Sequence, residues 1–436
     1  MEKLRILVLL ALGFGFSAIR AEEPVSLTLE QALRLTDSAN VTVLLSREAA
    51  AQAVAVANQQ RVGVLPNVGL RAQQGRANSV GIVNGAAVQF APANNYNGKL
   101  TGSFTLLNPQ QFSAWRAART GAAAAALDAQ ATLQTMLATV AEGYFAHLRN
   151  LQRIVVLDAN IERAQKLLTL AQNLLAGGVA TQIDVTRADA LVAQAQLARL
   201  QHQTTVVASE LLLKRLLDLD VRRPLNLKDF TVRRVAAGEY AFGRERTTFE
   251  LRADYLRTQK SVDQAKLDVR TARFERLPAF SLYGEYGYAA ALFSDSGQKT
   301  AWSAAATLSL PIFDGLRSSA DTRLALSRQR AQELQLRTLE QQIGAELRLA
   351  TQDADSRNAQ TVVAEKSLRL AEDEYRLARN RFEQGVADNR EVVDAQNQLA
   401  QASDGLVEAV YQYNLARVEL ARVKGDVRTI LQERTE

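Results

Sequence analysis

Hydrophobic positions along much of the chain recur at the alternating spacing of three and four residues that is typical of coiled-coil helices. Between Pro109 and Pro224 this seam runs through Leu133, Leu137, Val140, Tyr144, His147, Leu151 and Ile154. That interval contains no proline, and none follows Pro311. Because a proline inside a helix costs about 3 kcal/mol, both intervals predict very long helices. At about 1.5 Å per residue, a helix from about Phe112 to Leu175 is on the order of 100 Å long.

Two shorter regions bracketed by prolines, about 66–108 and about 278–313, alternate with a period of two instead. The stretches "KLTGSFTLL" (99–107), "FSLYGEYGY" (280–288) and "AWSAAATLSL" (301–310) place larger apolar residues on one side and small or polar ones on the other. This pattern is typical of transmembrane β-strands of about 9–11 residues. A soluble β-hairpin at the edge of a sandwich is the alternative that these residues leave open.

The helical intervals are each interrupted by a similar glycine turn. "GGVA" (177–180) and "QGVA" (384–387) place Gly178 and Gly385 207 residues apart. A glycine with positive φ lets a helix reverse into an antiparallel partner. The spacing predicts an internal two-fold repeat. Its parts are a first repeat, 22–224 (helix, β-hairpin about 66–108, coiled-coil hairpin 109–224); a connecting segment, 225–246; a second repeat, 247–424 (helix, β-hairpin about 278–313, coiled-coil hairpin 314–424); and a C-terminal tail, 425–436.

The N-terminal residues have the order of a secretory signal peptide, predicted at 1–21. Lys3 and Arg5 precede an apolar run that is shorter than the roughly 20 residues needed to span a bilayer, and Ala21 precedes the expected cleavage. Removal of 1–21 leaves 49 Lys and Arg against 45 Asp and Glu. Because this excess of positive charge is small and the chain has no basic tract, we expect no nucleic-acid partner.

Residues that carry chemistry are scarce. The chain has no cysteine and two histidines, and it shows no phosphate-binding loop. We therefore expect no metal, no cofactor and no enzymatic activity. His147, on the coiled-coil seam, is interpreted as an imidazole packed at a helix contact.

Several motifs together resemble the TolC-type outer membrane efflux protein family, over essentially the whole mature chain. They are "SLTLEQAL" (26–33), the paired "LPNVGL" (65–70) and "LPAFSL" (277–282), "LPIFDG" (310–315), and the two "GVA" turns followed by "DV" or "EVVDAQ". Two family prolines are missing, where this chain reads "ANVT" (39–42) and "RAD" (252–254).

The resemblance implies a mainly α fold with a transmembrane β portion. Long antiparallel coiled-coil helices would form an α-barrel across the periplasm, continued by a β-barrel with four strands per chain and 12 in a homotrimer. The location would be the outer membrane of a Gram-negative bacterium, with the barrel in contact with outer membrane lipid.

The implied function is an exit duct for small molecules in a tripartite pump, working with a periplasmic adaptor and, through it, an inner-membrane pump. Type I protein secretion through the same duct is one alternative. A non-conducting exported coiled-coil tether or scaffold is another.

The resemblance also implies a gate after the second turn, where Glu391 and Asp394 would narrow the periplasmic entrance. Three residues apart, they share a helix face, so a trimer would present six carboxylates. The residues alone, without the resemblance, favour Glu391 as an acid at a helix start and Asp394 as a solvated surface residue.

The bonds that hold this gate shut are expected to differ from those of the family's best-known members, or to be weaker. Phe382 and Ala387 stand where those members have a tyrosine and an arginine. The matching acid of the first turn, Asp184, is retained, with Arg390 or Arg187 as its candidate cationic partner.

The resemblance further implies that the adaptor docks at the turns. The residues concerned are Gly178, Val179 and Ala180 in the first turn and Gly385, Val386 and Ala387 in the second. Alternatively, Val179 and Val386 only cap their own coiled coils.

Overall fold

The computed structural model describes residues 25–78, 80–89, 93–228 and 249–431. The predicted signal peptide and most of the predicted connecting segment lie outside these ranges. The helices described are α1 (Leu29–Ala39), α2 (Val41–Val62), α3 (Pro109–Ala176), α4 (Gln182–Leu216), α5 (Ala253–Phe274), α6 (Arg317–Glu383) and α7 (Asn389–Lys424), with a 3-10 helix at Val427–Leu431. The strands described are β1 (Val25–Leu27), β2 (Asn67–Ala77), β3 (Val80–Val83), β4 (Ala86–Gln89), β5 (Ala93–Leu107), β6 (Leu225–Leu227), β7 (Ala279–Ala290) and β8 (Lys299–Ser309).

Two very long helices, α3 and α6, determine the shape of the molecule. They contain 68 and 67 residues, which corresponds to roughly 100 Å each. Helix α3 begins with Pro109 in its first turn, and the Asn108 side chain accepts the backbone N–H of Gln111 at 3.0 Å. Each long helix reverses at its far end into a shorter antiparallel helix, α3 into α4 and α6 into α7. None of the described helices combines the length and the apolarity needed to cross a bilayer.

At the other end of the long helices lies a four-stranded antiparallel sheet of order β2-β5-β7-β8. Two hairpins, β2–β5 and β7–β8, are joined through β5 and β7. Strands β2 and β8 are therefore the edges of this sheet, each with one unpaired side. Two small pairs were not anticipated from the sequence, a β3–β4 hairpin in the β2–β5 connection and a parallel β1–β6 pair.

The register of this sheet separates its side chains into two faces, because successive strand residues point to opposite sides. The apolar face carries Val68, Leu70, Leu100, Phe104, Leu282, Tyr286, Tyr288, Trp302 and Leu308. The polar face carries Arg71, Lys99, Thr101, Ser103, Tyr283, Glu285, Lys299, Ser303 and Thr307. The two-residue alternation predicted from the sequence is thus present in the structure.

The largest apolar core lies midway along the helices, where α1, α3 and α4 meet the β1–β6 pair. The Tyr144 hydroxyl lies within hydrogen-bonding distance of the carbonyls of Leu27 in β1 and of Lys228, the residue after β6, and so links α3 to the β1–β6 pair. His147 is buried there, with its Nδ1 2.9 Å from Ser209 Oγ. Burial lowers the pKa of His147. This matches its interpretation as a packed imidazole at a helix contact.

Side-chain hydrogen bonds hold the two helix starts at which the family prolines are missing. Asn40 caps α2 by accepting the N–H of Val43 at 3.1 Å, and its amide donates to the Leu216 carbonyl at 2.7 Å. At the start of α5, buried Arg252 binds Asp254 at 3.0 and 2.7 Å and Glu346 at 3.0 Å. Although burial opposes ionisation, the Arg252 guanidinium holds the pKa of Asp254 below its usual range.

Candidate functional site

The first tip, residues 177–181, is a glycine turn followed by a capping box. Gly178 has φ +75°, and the N–H of Val179 donates to the Leu174 carbonyl at 2.9 Å. At the start of α4, the backbone N–H and the hydroxyl of Thr181 donate to Asp184 Oδ2 at 2.9 and 2.6 Å. Asp184 is buried, and this carboxylate is therefore committed to its own helix start.

The second tip, residues 384–388, repeats the turn but not the cap. Gly385 has φ +71°, and the N–H of Val386 donates to the Arg381 carbonyl at 2.9 Å. Here Asp388 caps α7, accepting the N–H groups of Arg390 and Glu391 at 3.1 and 3.4 Å. Because Asp388 caps the helix, the Glu391 side chain is available for another contact. It binds Arg381 on the opposite arm of the hairpin, with Oε1 3.0 Å from Nη1.

The two tips touch each other. Asn389 is fully buried, and its Nδ2 donates to the Asp184 carbonyl at 2.6 Å. A Cβ added to Gly385 would lie 3.0 Å from Val179 Cγ1. Glycine is therefore needed at 385 for its positive φ, and it also accommodates the close approach of the first tip.

Beneath the tips, ten buried residues from all four helices form a tip cluster. They are Ala164, Leu167 and Ala171 of α3; Ala188, Leu191 and Val192 of α4; Ala378 and Phe382 of α6; and Val392 and Ala395 of α7. Phe382 is only 3% exposed, so a position that the sequence associates with the gate packs in this core. Tyr375 packs against the cluster, and burial raises its pKa.

Arginines accompany the acids that the sequence singles out. Asp394 Oδ2 lies 3.9 Å from Arg390 Nε, and Asp184 Oδ1 lies 3.8 Å from Arg187 Nη1. Of the two candidate partners of Asp184, the structure thus places Arg187 beside it, and places Arg390 next to Asp394 instead. Like Glu391, Asp394 has an arginine neighbour that the six-carboxylate hypothesis did not include.

The valines at the two turns project away from the tip cluster. Val179 is 60% exposed and Val386 is 67% exposed, while Ala180 and Ala387 are half-buried. Each tip therefore offers one exposed apolar side chain on a backbone fixed by glycine.

Two residues of the site were missed by sequence reasoning, Arg381 and Asn389. Arg381 and Glu391 each lie five residues from Val386, so a symmetric placement of opposite charges around the turn was the available signal. Asn389 gave no comparable signal, because its partner is a backbone carbonyl 205 residues away along the chain.

Comparison with known proteins identifies the family. The family model described as outer membrane efflux protein matches residues 36–218 and 249–426, which is most of the chain. The chain belongs to the outer membrane efflux protein family. The two matched segments end near the close of α4 and of α7, so each contains one long hairpin and its tip. The resemblance and the outer membrane location expected from the sequence are thereby confirmed.

Two curated relatives belong to Pseudomonas species. Outer membrane protein OprJ of Pseudomonas aeruginosa is 27% identical over 308 residues, covering 68% of this chain and 62% of OprJ. Pyoverdine export outer membrane protein OpmQ of Pseudomonas putida is 25% identical over 307 residues, covering 70% of this chain and 63% of OpmQ. The matches thus span slightly less than two thirds of the length of these relatives.

Solved structures show the same fold. The outer membrane protein VceC of Vibrio cholerae has a TM-score of 0.81 at 19% identity, covering 91% of this chain and 96% of VceC. A membrane protein of Pseudomonas aeruginosa has a TM-score of 0.81 at 23% identity, with coverages of 91% and 93%. These fold matches confirm the mainly helical fold predicted from the sequence.

Proposed function

We propose that this efflux protein is one subunit of a trimeric exit duct through which small molecules leave the cell across the outer membrane. The observation that carries this proposal is the four-stranded sheet, which has one apolar face, one polar face and two unpaired edges. It is continuous with helical hairpins roughly 100 Å long.

The unpaired edges support cyclic assembly. An exposed edge strand is a template for pairing with another chain, and β2 of one copy can pair with β8 of the next. Four strands are too few to close a membrane barrel, for which about eight is the practical minimum. Three copies supply 12 strands, with the apolar face against outer membrane lipid and the polar face lining the lumen.

The helices offer a matching apolar contact between copies. On α6, Leu349, Val363, Leu370 and Leu377 are exposed and separated by multiples of seven residues. On α4, Leu197, Leu200, Val207 and Leu211 are exposed at coiled-coil spacing. Exposed stripes of this kind mark interaction surfaces, and knobs-into-holes packing between α6 of one copy and α4 of the next would cover both.

In this proposal the two helical hairpins of each chain form its internal two-fold repeat. Their tips form the periplasmic end of the duct. Six tips, two per chain, would surround the entrance, with Glu391, Asp394 and their arginines at the second tip of each copy. A periplasmic adaptor linked to an inner-membrane pump would dock between the tips, where Val179 and Val386 are exposed. We infer small molecules as the substrate class because one relative is named for pyoverdine export.

The test combines native mass measurement with planar-bilayer recording of the purified protein. We expect a trimer that conducts ions. Leu370→Glu should dissociate the trimer because it places a charge in the α6 stripe, whereas Arg369→Glu, at the adjacent exposed position off the stripe, should not. A monomer that stays soluble without detergent and never conducts would overturn the proposal in favour of a tether.

A further inference from the structure

The charged residues of the four-stranded sheet are concentrated on its polar face. The four strands contain five charged residues: Arg71, Arg76, Lys99, Glu285 and Lys299. All but Arg76 lie on the polar face, which therefore has a net charge of +2 per chain. Arg76 is on the same strand as Arg71 but on the apolar face, because it lies five positions further along and successive residues alternate between the faces.

A rung is a row of residues paired across the sheet, and alternate rungs point to the same face. These four charges occupy three successive rungs of the polar face. Lys299 lies in the rung of Gln73, and Arg71 and Lys99 lie directly opposite each other in the next. Glu285 lies in the third, between Thr101 and Ser303. The charges thus form a narrow belt across the sheet.

Within the belt, the single acid neutralises one of the three bases. Lys99 Nζ lies 2.8 Å from Glu285 Oε1, and the Tyr283 hydroxyl donates to Glu285 Oε2 at 3.0 Å. The residue opposite Lys99 on β7 is Gly287, where a Cβ would lie 2.1 Å from the Gly98 carbonyl oxygen. Because no side chain fits there, the Lys99 amine can reach the carboxylate diagonally. Arg71 and Lys299 keep the net positive charge.

The belt also has the longest side chains of the polar face. Apart from Gln73 and Tyr283, its neighbours along the four strands are small or short, including Gly69, Ser281, Ala289, Ala305 and Thr307. Long side chains at one level of a barrel interior narrow it at that level. A ring of charged side chains at a narrow level discriminates between ions of opposite sign.

We propose that Arg71, Lys99, Lys299 and Glu285 form a cationic belt inside the β portion of the duct, which favours the passage of anionic solutes such as carboxylates, sulfonates and phosphates. This inference rests on the proposed function, since it requires the polar face to line the lumen. Three copies would give the belt a net charge of +6. At the second tip, by contrast, Glu391 and Asp394 each have an arginine within 3.9 Å.

The chain contains no cysteine, so the local potential can be measured at one introduced thiol. Ser303→Cys places this thiol on the polar face, in the rung of Glu285. The readout is the ratio of its modification rates, in membrane-embedded trimers, by an anionic sulfonatoethyl and a cationic trimethylammonium-ethyl methanethiosulfonate. Ala304→Cys, the neighbouring residue on the apolar face, is the control for access.

Removing a positive charge and removing a negative charge should change the anionic-to-cationic rate ratio in opposite directions. A unit charge at about 10 Å in water changes the local concentration of a monovalent ion about twofold. Arg71→Gln in the Ser303→Cys background should therefore lower the anionic-to-cationic rate ratio at least about twofold. Glu285→Gln should raise it by a similar factor, and Arg76→Gln, the matched removal from the apolar face, should leave it unchanged.

Two outcomes separate failure of this inference from failure of the proposed function. If Ser303→Cys reacts readily but Arg71→Gln and Arg76→Gln shift the ratio equally, the belt does not select charge and the inference is overturned. If Ser303→Cys reacts no faster than Ala304→Cys in folded trimers, the polar face does not line a water-filled lumen. The proposed function then fails together with the belt.

Discussion

The two tips end similar hairpins with the same glycine turn, yet their acids have different roles. In the first tip, Asp184 is buried and accepts two hydrogen bonds from Thr181 at the start of its own helix. In the second tip, Asp388 takes over capping. The residue that corresponds to Asp184, Glu391, binds Arg381 on the opposite arm of the hairpin.

This difference indicates which tip is held by the weaker polar contact at these equivalent acids. Opening the first tip breaks a capping box, whereas the Arg381–Glu391 pair is 55% and 40% exposed at its two side chains. Exposed ion pairs are typically worth about 0–1 kcal/mol, because water and salt screen them. The Arg381–Glu391 pair is therefore the weaker of the two polar contacts, which would suit the gate proposed at the second tip.

Phe382→Ala should destabilise the second tip most, by about 3–5 kcal/mol, because it leaves a cavity in the tip cluster. Leu175→Ala, the corresponding position of the first tip, should cost less because Leu175 is only half-buried. Hydrogen exchange of the amides within two turns of each tip measures both local opening energies. If Phe382→Ala and Leu175→Ala reduced the protection of their own tips equally, the two tips would not differ in packing at these positions.

Asn389→Leu should loosen the contact between the tips by about 0.5–1.5 kcal/mol, the usual net contribution of one hydrogen bond. The bond lost is the one from Asn389 Nδ2 to the Asp184 carbonyl. Faster exchange in the first tip, caused by a substitution in the second, is the expected signature. If the amides of residues 181–188 exchanged in Asn389→Leu as slowly as in wild type, the bond would not couple the tips.

Asp184→Ala should destabilise the start of α4 by about 1 kcal/mol, as removal of a capping side chain usually does. Glu391→Ala should affect the start of α7 less, since Asp388 supplies that cap. Exchange rates of the first-turn amides of α4 and α7 provide the comparison. An equal loss at both helix starts would mean that Glu391 contributes to capping after all.

Arg381→Gln should have the smallest effect on stability, under about 1 kcal/mol, and this effect should fade as salt is added. The measurement is exchange at the second tip at about 0.05 M and about 1 M salt, where the Debye length falls to roughly 3 Å. A cost that persists at high salt would indicate packing by the arginine stem rather than charge.

Much of the fold could be predicted because its signals are local and repeated. The absence of proline and the spacing of three and four residues predicted α3, and the glycines at 178 and 385 predicted both tips. The period of two predicted β5, β7 and β8, and the hairpin predicted at about 66–108 implied β2 as the partner of β5. Strands β1, β3, β4 and β6 are only three or four residues long, too short for any period to be recognised.

The contacts of the site were less predictable because they depend on the packing of hairpins distant in sequence. Asp184 and Glu391 occupy equivalent positions, and only the identity of the preceding cap, Thr181 or Asp388, separates their roles. Phe382 looked like a gate residue by resemblance, yet lacking a hydroxyl it packs as a core residue. The Asn389 bond depends on two tips that are far apart in sequence and are brought together by the packing of the two hairpins.

We propose that the Arg381–Glu391 pair of the second tip holds the entrance of the proposed duct closed. The most direct test is the single-channel conductance of Arg381→Gln/Glu391→Gln, which removes the pair without changing the net charge of the chain. The control is Asp373→Asn/Arg376→Gln, which removes an exposed pair within α6, joined at 2.7 Å, that does not cross the hairpin. We predict a larger conductance for the first double variant and a wild-type conductance for the control. Equal conductance in wild type and both variants would show that the Arg381–Glu391 pair does not hold the entrance closed.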